Sequence, residues 1–155
     1  MQFLEREDFI AFNKDVINDY TGTFVPPNNL KNAEGLDYLI DICENNEIFG
    51  VQQYPTIAHI AALLLFKITS NHLFNDGNKR TAYSAVLYFL HLNGHRFRDK
   101  IEPVIKGDKT FIPKRLRSQP DDILEDLIQE IAQSQLEYEE VLLFVQNNIE
   151  AKPYY

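Results

Sequence analysis

The chain has 155 residues, 45% of them hydrophobic and 25% charged, which predicts one soluble domain covering residues 1–155. Its net charge of −8 argues against general nucleic-acid binding, so we expect no direct contact with nucleic acid. Its one cysteine excludes an internal disulfide framework, and no apolar stretch could span a bilayer or act as a secretion signal, so we expect a cytoplasmic protein without membrane contact.

The first third of the chain predicts two helices and a short flap. Apolar residues at helical spacing indicate helices at residues 5–20 and 30–45, separated by a loop that contains VPPNN. Residues 47–55 contain Gly50 and stop at Pro55, which favours a short extended flap or hairpin.

Two broadly apolar helices follow, at residues 56–71 and 79–93. Apolar side chains cover well over half of the circumference of the first, which is typical of a helix packed on several sides. Asn93 and Gly94 end the second in the manner common at helix C-termini. We therefore expect both helices at the centre of an all-α bundle, with residues 72–80 as a polar loop between them.

The charge of the chain is unevenly distributed. Residues 79–117 hold ten Lys and Arg against three acids, so this segment carries +7 and the remainder −15. Such a segment suits the binding of a small anion or an acidic partner at one place. Within it, residues 95–117 predict an irregular region with brief strands, and KRLR at 114–117 predicts a solvated surface that could also attract phosphate.

The last part of the chain predicts a C-terminal helical extension at about residues 120–150. Pro120 suits the first turn of a helix that continues over residues 121–134, and a further helix is predicted at residues 136–149. The tail AKPYY is predicted to fray.

The loop HLFNDGNKRT, residues 72–81, carries more polar chemistry than a turn requires. Gly77 and Asn78 predict the turn into the next helix, with Asn78 as its N-cap. The first backbone N–H groups of that helix then form an anion site. Lys79 and Arg80 oppose the helix dipole at a cost of about 0.3–1 kcal/mol each, which a bound anion would reverse.

Two further groups in this loop complete a reactive set. Asp76 could accept bonds from the helix start or hold Mg²⁺ together with phosphate oxygens. His72 could accept a proton from a hydroxyl near neutral pH. Phe74 is expected to turn inward and fix the loop to the core. Each residue alone is explained as well by a capped, solvated turn, but the combination favours transfer of a phosphoryl or nucleotidyl group to a hydroxyl.

The other histidines favour structural roles. His91 and His95 are four residues apart, but Gly94 should end the helix between them and no third metal ligand stands nearby. His59 lies on an apolar helix, which favours a hydrogen-bonded core histidine.

The sequence around this loop resembles the signature of the Fic/Doc superfamily, and most closely its death-on-curing (Doc) branch. The Fic pattern is H-P-F-x-[DE]-G-N-G-R-x-x-R, and the matching residues are His72, Phe74, Asp76, Gly77, Asn78 and Arg80. The resemblance extends over about residues 56–95. It implies an all-α Fic/Doc-like helical bundle in which the loop at residues 72–80, the motif loop, lies between two central helices.

Three departures from the Fic pattern affect the expected chemistry. Leu73 replaces the proline, Lys79 replaces the second glycine and Tyr83 replaces the last arginine. Fic enzymes that transfer AMP use that glycine and arginine to orient ATP, whereas Doc-like proteins share the lysine. The resemblance therefore implies a kinase of the Doc type that passes the γ-phosphate of ATP to a protein hydroxyl.

The resemblance also implies roles for individual residues. His72 would be the general base and Asp76 would position Mg²⁺, while Gly77, Asn78, Lys79 and Arg80 would hold the phosphates of ATP and Asn75 would line the site. The flap at residues 47–55 would dock the backbone of the target.

The implied partners are a cognate antitoxin and a protein substrate, a translation factor such as elongation factor Tu. The inhibitory motif [ST]-x-x-x-E-[GN] of regulated Fic proteins is absent, because Leu30 and Ile40 precede the two candidate glutamates. A toxin without this internal brake would need a separate antitoxin. The alternatives are a Fic-type AMP or nucleotidyl transferase and a catalytically silent Doc-fold binding module.

Overall fold

The computed structural model describes residues 1–102, 105–106, 109–110 and 120–153, and within them the chain is mostly helical. The helices are α1 (Arg6–Tyr20), α2 (Ala33–Glu44), α3 (Ile57–Ser70), α4 (Asn78–Leu92), α5 (Pro120–Ala132) and α6 (Tyr138–Asn148). Three antiparallel pairs of short strands complete the fold: β1 (Glu47–Ile48) with β2 (Val51–Gln52), β3 (His95–Phe97) with β6 (Ile149–Ala151), and β4 (Ile105–Lys106) with β5 (Lys109–Thr110). The prediction of an all-α helical bundle is confirmed.

Helix α3 occupies the centre of the bundle, as its broad apolar surface predicts. It packs against α4, α6, α5 and α2, and nine of its 14 residues are buried. Thr56 begins the helix, because its hydroxyl accepts a hydrogen bond from the backbone N–H of His59. The largest buried side chains around α3 include Phe9, Phe74, Phe89 and Phe144. The loop that follows α3 is anchored to this core.

The predicted helix boundaries hold to within a few residues, with two corrections. Helix α2 begins at Ala33 rather than at residue 30, because the side chain of Asn32 caps it by accepting from the N–H of Gly35 at 2.9 Å. Helix α4 begins at Asn78, and its N-cap is Gly77 in the left-handed conformation rather than Asn78. The side chain of Asn78 therefore does not cap α4.

The C-terminal part of the chain confirms the two predicted helices and corrects the predicted tail. Ala151 belongs to strand β6 and pairs with His95, and the N–H of Lys152 donates to the carbonyl of Gly94 at 2.8 Å. The start of the tail is thus held in a ribbon instead of fraying. The basic run at residues 114–117 lies outside the described residues. In the part of the chain that the structure describes, no helix is both long enough and apolar enough to cross a membrane.

Candidate active site

The loop between α3 and α4 is fixed to the core by its second and third residues. Leu73 and Phe74 are both fully buried, which confirms the predicted inward position of Phe74. The carbonyl of Leu73 accepts hydrogen bonds from the N–H groups of Lys31 and Asn32, at 2.9 and 3.0 Å. The loop is therefore attached to the segment before α2 as well as to the two central helices.

The side chain of Asn78 closes the loop on itself. Its Oδ1 accepts from the N–H of Phe74 at 2.9 Å, and its Nδ2 donates to the carbonyl of Phe74 at 2.9 Å. This pair of bonds joins the first residue of α4 to the middle of the loop. The side-chain amide of Asn78 therefore fixes the conformation of the loop, whereas the backbone N–H of Asn78 has no partner among the described residues.

A buried pair of asparagines supports the loop from below. Asn13 of α1 and Asn29 are both fully buried, and Asn29 Nδ2 donates to Asn13 Oδ1 at 2.9 Å. Asn13 Nδ2 in turn donates to the carbonyl of Asp76 at 2.8 Å and contacts Thr81 Oγ1 at 3.2 Å. Because unsatisfied polar groups are costly in a protein interior, this network holds α1, the segment before α2 and the loop in one arrangement.

Gly77 is required by this packing. Its φ is +76°, and a Cβ atom there would lie 3.1 Å from both Asn13 Nδ2 and Ile17 Cδ1. A side chain would therefore face backbone strain and crowding together. The glycine lets the loop approach α1 closely enough for Asn13 to reach the carbonyl of Asp76.

The carboxylate of Asp76 is exposed and fixed by two backbone donors. Its Oδ2 accepts from the N–H of Thr23 at 2.9 Å and its Oδ1 from the N–H of Gly77 at 2.8 Å. These bonds, with a smaller contribution from the charge of Arg80, lower the pKa of Asp76 against the opposing effect of burial. Gly22 permits the contact, because a Cβ atom there would lie 2.9 Å from Asp76 Oδ2. Asp76 is thus an ionised carboxylate in a set position.

The first turn of α4 offers unpaired backbone donors beside this carboxylate. The first N–H group that bonds back to the N-cap is that of Thr81, which donates to the carbonyl of Gly77 at 2.9 Å. The N–H groups of Asn78, Lys79 and Arg80 have no backbone or side-chain acceptor among the described residues. The helix start therefore has the unpaired N–H groups that an anion site needs, and anion binding there stays a prediction.

The two cations of this turn are held by uncharged groups. Lys79 Nζ donates to Oε1 of Gln129 on α5 at 3.2 Å. The guanidinium carbon of Arg80 lies 4.2 Å from the centre of the Tyr20 ring. Both cations are exposed.

His72 and Asn75 flank this arrangement. His72 is exposed, has a φ of +47°, and makes no hydrogen bond to any described residue. Asn75 is also exposed, and both its backbone N–H and its Nδ2 donate to the carbonyl of Asn29, at 2.9 and 3.2 Å. The imidazole is therefore accessible to a reactant, whereas the amide of Asn75 is tied to the loop before α2.

The remaining histidines are engaged elsewhere. His59 Nδ1 contacts the hydroxyl of Thr56 at 2.6 Å, and burial lowers the pKa of its half-buried ring. His91 contacts Lys152, and His95 Nδ1 lies 2.7 Å from the carbonyl of Asn93. No group of three His, Cys, Asp or Glu side chains in the described residues could hold a metal ion.

The predicted flap forms, and it is joined to the opposite end of α3 from the motif loop. β1 and β2 make a hairpin whose turn, Phe49 and Gly50, has positive φ angles and presents a fully exposed phenyl ring. This hairpin precedes α3 whereas the motif loop follows α3, and a helix of 14 residues separates its ends by about 20 Å. The segment that borders Asp76 is instead the loop between α1 and α2, which contains Thr23 and Asn29.

The structure thus brings Asp76, Gly77, Asn78, Lys79 and Arg80 together at one helix start, with His72 and Asn75 in the same loop. Sequence reasoning missed the residues that support the loop: Asn13, Tyr20, Gly22, Asn29 and Gln129. One signal was present, because Asn13 stands four residues after Phe9 on the buried face of α1. No comparable pattern marked the others, which come from loops or from exposed faces of distant helices.

Comparison with known proteins finds sequence relatives of this chain. The family model described as Fic/DOC family matches residues 3–90, more than half of the chain. The protein named Toxin Doc from Mycolicibacterium smegmatis is 49% identical over 47 residues, which are 30% of this chain. The match spans about a third of that relative, 36% of its length.

Proposed function

This chain belongs to the Fic/DOC family, and we propose that it is a Doc-like toxin that transfers the γ-phosphate of ATP to a Ser or Thr hydroxyl of another protein. The arrangement at the start of α4 carries the proposal. An ionised carboxylate, three unpaired N–H groups and two cations surround one turn, and an accessible imidazole stands in the same loop. These are the parts that phosphoryl transfer needs.

Each group has a task in the proposed reaction. The N–H groups of the first turn, Lys79 and Arg80 bind the phosphates of ATP, and Asp76 supplies a carboxylate ligand for the Mg²⁺ that accompanies them. That ion, when bound, neutralises phosphate charge. A single exposed carboxylate fits an ion that takes its other ligands from phosphate oxygens and water.

His72 acts on the target. Its imidazole accepts the proton of the target hydroxyl, whose oxygen bonds to the γ-phosphorus as the bond to the bridging β–γ oxygen breaks and ADP leaves. The exposed position of His72 allows a protein substrate to approach. Because the loop between α1 and α2 borders Asp76, we assign the docking of the target to this loop rather than to the hairpin at residues 47–55.

Two features support a kinase over an AMP transferase. Lys79 stands where AMP-transferring Fic enzymes have a glycine, and its side chain extends from α4 to α5. Tyr83 stands in place of their last arginine and packs against the hydrophobic core. The proposed partners follow from the same assignment: a cognate antitoxin, and a translation factor such as elongation factor Tu as substrate.

Labelled ATP separates the candidate functions. The protein is incubated with bacterial extract, Mg²⁺ and ATP labelled at the α or the γ position. Label transferred to protein only from the γ position, and lost with His72→Ala, supports the kinase. Transfer from the α position would assign nucleotidyl transfer, and no transfer with unaffected growth on expression would leave a binding module.

A further inference from the structure

We propose that Gln129 is a positioning residue that holds Lys79 for the terminal phosphates of the nucleotide. The inference rests on the proposed function, and it assigns a role to α5, which lies outside the residues that the family model matches. Its basis is the contact between Lys79 Nζ and Gln129 Oε1 at 3.2 Å.

The chemical nature of the partner matters. A carboxylate at this position would neutralise Lys79, whereas an amide oxygen accepts one of the three ammonium hydrogens and leaves the charge in place. Ion pairs join Arg6 to Asp37 and Arg96 to Glu150, and neither pair involves the start of α4. Arg80 likewise contacts an uncharged group, the ring of Tyr20, and keeps its charge.

The scaffold fixes the position of Gln129. Helix α5 packs against α3 and α4, and Leu124, Leu127, Ile128 and Ile131 bury its inner face. Gln129 itself is exposed beside this anchored face. A lysine side chain alone samples many rotamers, and ordering it costs entropy on binding. A fixed acceptor on a packed helix reduces that cost and holds the ammonium beside α5.

The position of Lys79 indicates which phosphates of the nucleotide its ammonium would contact. An anion at the unpaired N–H groups of α4 would lie close to the helix axis, and the ammonium of Lys79 lies at Gln129 on α5. The ammonium therefore extends the anion site beyond the helix start. We expect its contribution to grow with the number of phosphates, and to be larger for ATP than for AMP.

The test is a double-mutant cycle that uses the affinity for Mg·ATP and for AMP, measured by titration calorimetry on the full chain. Gln129→Glu should weaken Mg·ATP about tenfold, because the new carboxylate pairs with Lys79 and repels phosphate, and should weaken AMP less. In a Lys79→Met background the Gln129→Glu change should lose most of its effect. Gln129→Met, which removes the acceptor without adding charge, should cost about two- to threefold.

A matched control variant distinguishes the effect of a carboxylate at position 129 from the effect of one added negative charge elsewhere on the protein. Gln133 lies one turn further along the chain and is also exposed, so Gln133→Glu adds the same charge away from the proposed contact. If Gln129→Glu and Gln133→Glu weaken Mg·ATP equally, or if Gln129→Glu acts undiminished without Lys79, the positioning role is wrong while the proposed function stands. If the wild-type protein does not bind Mg·ATP, both proposals are overturned.

Discussion

The two ends of helix α4 are built from the same residues and serve different purposes. The helix begins at Gly77-Asn78 and ends at Asn93-Gly94, and both glycines are left-handed, with φ angles of +76° and +71°. At both ends the asparagine side chain bonds to backbone: Asn78 to Phe74, and Asn93 to Phe89 and Gln2. Judged by turn chemistry alone, the two ends are equivalent.

Their surroundings differ. A Cβ atom at Gly77 would meet Asn13, Val16 and Ile17, whereas a Cβ atom at Gly94 would meet nothing within 4 Å. The N-terminal end is supported from a buried polar network, and the C-terminal end lies at the surface. The same turn residues therefore form a candidate site only at the end where buried groups hold them, and substitutions at matched positions of the two ends test this difference.

The largest difference is expected in the rate of phosphoryl transfer, between variants of the histidines near each end of α4. His72→Ala should lower the rate of phosphoryl transfer by about 10²- to 10⁴-fold, because it removes the proposed general base. His91→Ala removes a histidine from the last turn of the same helix and should leave the rate within about twofold. Initial rates with γ-labelled ATP and a purified target measure both. Equal losses in the two variants would remove His72 from the mechanism.

The next difference concerns the asparagines that support each end. Asn13→Ala removes the acceptor of Asn29 Nδ2 and the donor to the carbonyl of Asp76, so we expect a loss of about 2–4 kcal/mol in the free energy of unfolding. Asn93→Ala breaks bonds to Gln2 and Phe89 near the surface and should cost about 0.5–1.5 kcal/mol. Urea unfolding compares the two variants. If Asn93→Ala proves the more costly, the buried network is not the main support of the loop.

The glycines give a third and smaller difference. Alanine in a left-handed conformation costs about 1–2 kcal/mol at either position, and at Gly77 the contacts with α1 add to that strain. We expect Gly77→Ala to lose about 1–2 kcal/mol more than Gly94→Ala in thermal or urea unfolding. The affinity for Mg·ATP should fall only in Gly77→Ala. Similar stabilities would mean that α1 yields to the added methyl group.

The position of the motif loop between α3 and α4 was predictable from sequence, and the contacts that support it were not. The spacing of His72, Asp76 and Lys79 between two apolar segments identified the loop, and the breadth of the apolar surface identified α3 as central. These signals are local, because each arises within one helix or one turn.

The missed features depend on distant segments meeting in space. Asn29 reaches Asn13 across 16 residues, and Gln129 reaches Lys79 across 50. The predicted flap or hairpin at residues 47–55 forms as a hairpin, but which segment borders Asp76 depends on how the helices pack. A sequence pattern carries no record of such packing.

The smallest expected effect is the dependence of stability on pH that Asp76 contributes. The N–H groups of Thr23 and Gly77 lower its pKa in the folded protein, so the carboxylate stabilises the fold above its unfolded pKa of about 3.9. That stabilisation is lost as the pH falls through the lower, folded value. Asp76→Asn should therefore be slightly less stable than the wild type at pH 6, and the difference should shrink towards pH 3. Urea midpoints over this range measure it, and Asp15→Asn, at an exposed position of α1, controls for the change in net charge. A difference that stays constant with pH would show that the two backbone bonds do not depend on the charge of Asp76.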